Sequence, residues 1–108
     1  MPDCKENAQD HIEMIINLGF GKAYDLHFPH RNPDALIKRD RRPIVAHHCA
    51  VLDSLGVSWG VQNQALMFLN EAASPRTWDC FYRNSFQTMA KKILDGTTFS
   101  DLRNKGAQ

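Results

Sequence analysis

The chain has 108 residues, with 13 Lys plus Arg against 12 Asp plus Glu and a hydrophobic share of 43%. That length has room for one small domain, which buries roughly 65% of the surface its unfolded form exposes and leaves little volume for a deep active-site cavity. The ordinary composition argues against disorder and against a disulfide scaffold, and a net charge of +1 is a weak footprint for nucleic acid.

The longest apolar run, Ala65 to Leu69, is far short of the roughly 20 residues a membrane helix needs. The first fifteen residues carry Asp3, Glu6, Asp10 and Glu13, which is not the basic start and apolar stretch of a signal peptide. Cys4, Cys49 and Cys80 are an odd count without a CxxC spacing. The expectation is a cytoplasmic protein with reduced thiols, in which Cys49 and Cys80 are small core residues.

Asp3 and Glu6 form a capping-box arrangement, and Ala8, Ile12, Ile15 and Ile16 recur at helical spacing, so a first helix is expected over 4–18, stopped by Gly19 and Gly21. From Phe20 to Arg31 the signal is mixed: Tyr24, Leu26 and Phe28 alternate as in a strand but Pro29 interrupts them, and the stretch reads as irregular. Asn32 before Pro33 is a cap followed by a first-turn proline, which places a short helix over Asp34 to Asp40. Pro43 starts the next helix, with Ile44, His48, Val51 and Leu55 on one face and Gly56 as its stop.

Ser58 caps a helix carrying Val61, Ala65, Phe68 and Ala72 on one stripe and Leu66, Leu69 and Ala73 on another, with Asn63, Met67 and Asn70 outside. Ser74 and Pro75 repeat the cap-then-proline signal. One long amphipathic helix is then expected through Trp78, Phe81, Tyr82, Phe86, Met89, Ala90 and Ile93 to Asp95-Gly96. From about residue 97 the tail reads as loose, with Phe99 and Leu102 as candidate anchors. The fold class is therefore all-α: a compact single-domain bundle of four main helices plus one or two short ones.

Charge is uneven: residues 43–75 hold Asp53 and Glu71 but no Lys or Arg, and 18 of those 33 residues are apolar. This middle third is expected to be the core, and its apolar surplus is expected to be shared with a second subunit in a homodimer.

Chemistry-bearing clusters are few. His27 and His30 with His47-His48-Cys49 offer zinc-type donors, but adjacent helical residues point about 100° apart and Pro29 breaks the spacing of the first pair, so no metal and no cofactor is expected. Cys49 beside His48 and Cys80 beside Asp79 fail as catalytic pairs on the same geometry. Gly19-Phe20-Gly21-Lys22 lacks the phosphate-loop spacing. No catalytic residue stands out.

Val51 to Ser58 is similar to the first helix and turn of a helix-turn-helix, with Gln62, Asn63, Gln64 and Met67 as its outward residues, yet the cations that give DNA affinity are missing from 43–75. The leading expectation is a small non-enzymatic interaction module that binds protein and self-associates. Its candidate partner surface is the basic run Lys38, Arg39, Arg41 and Arg42 with Trp59 and Met67. A DNA-binding regulator is the alternative. A small-ligand-binding bundle, with His48 or Tyr82 turned into a cavity, comes third.

Overall fold

A computed structural model of the chain describes residues 4–30 and 40–105. Among the described residues six helices make up the regular structure: α1 (Cys4–His27), α2 (Arg42–Ser54), α3 (Trp59–Asn70), α4 (Pro75–Arg83), α5 (Phe86–Leu94) and α6 (Phe99–Lys105). The fold is all-α, and no helix among the described residues is long and apolar enough to cross a membrane. The short helix expected over Asp34 to Asp40 lies, Asp40 apart, outside the described residues.

The first helix runs nine residues past its expected end, straight through Gly19 and Gly21. Its buried stripe, Ala8, Ile12, Ile15, Ile16 and Ala23, continues at spacings of three and four across both glycines. Gly19 serves packing. A Cβ there would sit 2.9 Å from the Phe68 carbonyl carbon and 3.0 Å from its oxygen, so the missing side chain lets the α3 backbone approach. Tyr24 and Phe28, which suggested strand alternation, are one helical turn apart, with ring centroids at 4.9 Å.

Gly56 and Gly96 end α2 and α5 in the same way. Both have positive φ, 81° and 105°. The following residues reach back, Val57 N–H to Leu52 O and Thr97 N–H to Lys92 O, and each stop closes as a Schellman motif. Ser58 Oγ accepts the Val61 N–H at 3.2 Å and begins α3. Gln62, fully buried, sends its Nε2 to Asp53 Oδ1 at 2.6 Å and Val57 O at 3.1 Å. That side chain ties α3 to the corner behind it.

The single long helix expected after Ser74 is two. Asn84 leaves helical geometry, its Nδ2 donating to Cys80 O, and Ser85 caps α5 by accepting the Thr88 N–H at 3.1 Å. Nor is the described part of the tail loose. Phe99 and Leu102 are buried on α6, Phe99 meets Phe68 edge to face at 4.8 Å, and its N–H donates to Gln64 Oε1.

The centre of the bundle also differs from expectation. α1 packs against α2, α3, α4 and α5, and its isoleucines share the core with Phe68, Leu69, Met89 and Ile93. Of the thirteen residues of α2 only His48 and Leu52 are buried. The apolar surplus of the middle third is thus partly on the surface, at Ile44 and Trp59, because α1 shares the core with α3 and leaves α2 at its margin.

Candidate functional site

The sparse burial of α2 leaves an open groove along each of its flanks. The smaller, about 490 Å³, lies against α1 and is lined by Met14, Leu18, Ile44 and His48 among others. The larger, about 790 Å³, lies toward α3, with Val45, Cys49, Leu66 and Leu69 as an apolar wall, Trp59 exposed on it and Lys22 and Arg42 lining it too. Asp40 and Arg41 line both grooves. Among the exposed large hydrophobic side chains, Met14 and Ile44 open onto the smaller groove and Trp59 onto the larger, each between 48% and 64% exposed.

Of the six residues put forward from the sequence, the structure therefore gathers Arg41, Arg42 and Trp59 around one groove. Lys38 and Arg39 lie outside the described residues. Met67 is half-buried, packs against the core and lines neither groove. At spacings of four and three from Asn63 and Asn70, Met67 shares their stripe on a helical wheel, but α3 is enclosed on more sides than a surface helix is.

Both arginines are matched by carboxylates. Arg41 Nη2 meets Asp25 Oδ2 at 2.8 Å in a largely buried pair, the side chains 14% and 6% exposed. Arg42 grips the exposed Asp40 in bidentate fashion, Nε to Oδ1 at 2.9 Å and Nη2 to Oδ2 at 2.8 Å, and its backbone N–H also donates to Oδ1. Those bonds hold the Asp40 carboxyl down at about 2, so it stays charged across any physiological pH. Both arginines of the larger groove are thus paired with carboxylates, and Lys22 lines it beside them.

The helix-turn-helix likeness meets a similar outcome. α2, the Gly56 corner and α3 do form two helices about a tight turn. Gln62, however, is fully buried, and Gln64 accepts the Phe99 N–H at 2.8 Å. Two of the side chains expected to read bases are therefore occupied inside the fold.

The histidines do not assemble as their sequence neighbourhoods suggested. His27 lies against Trp78 with centroids 5.0 Å apart and planes tilted by 36°, in an aromatic strip with Phe20, Tyr24 and Phe28. His48 instead faces His11 of α1, with Nδ1 to Nδ1 at 2.8 Å, and His47 lies beside them with centroids at 5.4 Å from His48 and 6.4 Å from His11. No sequence signal singled out His11, because its partner lies 37 residues away. Burial first, then the charges of His11 and His47, push His48 below the ordinary histidine value.

Among the described residues, no group of three or more His, Cys, Asp or Glu is placed to hold a metal ion. The thiols of Cys49 and Cys80 are both pushed up, chiefly by burial, away from the thiolate form that nucleophilic chemistry uses. Tyr82, a candidate cavity group, is 68% exposed and lines neither groove. No protein-family model matches the chain, nor does any curated protein or any solved structure.

Proposed function

We propose that this chain is a small helical protein-interaction module that self-associates as a homodimer through the face formed by α2 and its two grooves. The observation that carries this reading is the placement of Met14, Ile44 and Trp59, three large apolar side chains left exposed on the walls of the same two grooves. Removing such side chains from water is favourable by roughly 25 cal/mol per Å² of apolar surface before the cost of association is met, and Met and aromatic residues are enriched at interfaces. A two-fold pairing covers the surface on both copies at once and is the commonest symmetry of soluble oligomers. Among the described residues Arg41 and Arg42 are each paired with a carboxylate, which lowers the positive charge they offer a polyanion. Cys49 and Cys80 are free thiols, in keeping with a reducing, cytoplasmic setting.

Sedimentation equilibrium across a wide dilution series tests the reading. A mass above the 12.3 kDa of one chain at micromolar concentration is expected. Trp59→Glu and Ile44→Glu, both at exposed positions, are expected to return it to one chain without loss of helicity. A wild-type mass that stays at one chain throughout the series overturns the reading.

A further inference from the structure

His48, on the wall of the smaller groove, faces His11 of α1. His11 Nδ1 and His48 Nδ1 are 2.8 Å apart, and their rings are tilted by 54°. Two ring nitrogens at that distance share one proton, one ring donating its Nδ1–H and the other accepting with its lone pair. The neutral pair has such a proton. So does the singly charged pair, in which both Nε2 atoms also carry hydrogen. The doubly charged pair has an N–H on each facing atom, no acceptor between them and two like charges in contact.

We propose that His11 and His48 form a proton-operated clasp that holds α2 against α1 while the pair carries at most one charge, and widens the groove when both rings are charged. The proposal concerns the regulation of the face described above and relies on that reading only for its consequence in binding.

Three observations support it. His48 is 8% exposed, so little water is at hand to screen a second charge. α2 buries only one other side chain, Leu52, and the ion pair that joins the residue capping it to α1, Arg41–Asp25, is not wholly buried, so few fully buried contacts oppose its displacement. The charged groups around the pair also favour release over a tighter grip. His47 stands beside both rings on α2, and Arg41 lines the same groove. Asp25 is bound to Arg41 and Asp40 to Arg42. Asp10 and Glu13 neighbour His11 along α1, but among the described residues neither ring has a carboxylate partner.

The test is ring-nitrogen and amide NMR of the full chain from pH 8 to 5, at a concentration where a single chain predominates. His11 and His48 are expected to titrate as a coupled pair in two steps separated by more than about one pH unit. The second step should coincide with shifts in the amides of residues 42–48. His48→Gln is expected to abolish that second step and the amide shifts; His11→Gln, at a half-buried position, serves as the second variant should the first fail to fold. Two rings that titrate independently in a single range, or α2 amides that do not move through the second step, overturn the clasp.

Light scattering on the same samples separates the clasp from the association reading. Association should weaken by up to about a hundredfold per pH unit below the second step in the wild type, one proton being taken up by each of the two chains, and stay flat in His48→Gln. A mass of one chain at every pH and concentration tells against dimerisation, while the ring titration alone decides the clasp.

Discussion

Helix α1 makes two kinds of contact. Against α3 it is dry and close, with Gly19 pressed on the Phe68 backbone and Ile12, Ile15 and Ile16 in the shared core. Against α2 it is polar and flanked by open grooves, joined by the His11–His48 and Asp25–Arg41 pairs. Dense packing transmits any change of volume as strain, whereas a polar contact beside solvent answers to protons and salt. The first contact is suited to fixing the fold and the second to adjusting one helix on it.

The largest effect is expected where the dry contact is broken. In Gly19→Ala the new methyl meets main-chain atoms of Phe68, which cannot turn aside as a flexible side chain would. The expected cost is about 1–3 kcal/mol, read as a fall in the thermal midpoint of roughly 4–8 °C per kcal/mol for a domain of this size. Asp25→Asn tests the polar contact by leaving Arg41 without its full counter-charge. The expected cost is smaller, about 1–2 kcal/mol, because the pair is not wholly buried. Its signature is local: hydrogen exchange should quicken along α2 while the α1–α3 amides stay protected.

Acidification should act on the same side of the molecule. His48 is held below the ordinary value of 6.5 in the folded chain, so below that pH the unfolded chain binds more protons than the folded one. Stability is therefore full above 6.5 and is lost as pH falls from there toward the depressed folded value. A thermal midpoint that declines between pH 7.5 and 5.5 in the wild type, and declines less in His48→Gln, is the expected result. The smallest effect is a gain. Gly21 is in the same helix, but a Cβ there comes no nearer than 3.6 Å to Arg41 Nη2, an ordinary contact, so Gly21→Ala should stabilise by roughly 0.5–1 kcal/mol through helix propensity. Opposite signs at two glycines two residues apart would sharpen the contrast; the same sign at both would dissolve it.

That contrast also marks what the sequence makes legible. The stops at Gly56 and Gly96 and the starts at Ser58 and Pro75 are local events, governed by residues within one turn, and the structure has them where the sequence does. Gly19 and Gly21 carry the same residue type for a different reason, and only the continuation of the apolar stripe to Ala23 hinted that the helix goes on. Asn84-Ser85, with Thr88 three residues later, has the makings of a stop and a cap, but the apolar period running through it hides the break. In the candidate site, Arg41, Arg42 and Trp59 are visible in the sequence as a basic run and an aromatic residue at helix starts. His11 is not, since nothing within its own helix shows what α2 brings opposite it.

Gln62 gives α2 a further mechanical property. By bonding Asp53 Oδ1 and Val57 O from inside the fold, it pins the C-terminal corner of α2 while the N-terminal turns lie between two grooves. The helix then works as a lever with its fulcrum near Leu52. At 1.5 Å rise per residue, His48 is about 6 Å from that fulcrum and Arg41 about 16 Å. A separation of about 0.5 Å between the imidazoles thus swings the Arg41 end by roughly 1.4 Å, enough to loosen a hydrogen bond at its far tip. The histidine pair and the Arg41–Asp25 pair are in this sense geared together: a small stroke at one becomes a break at the other.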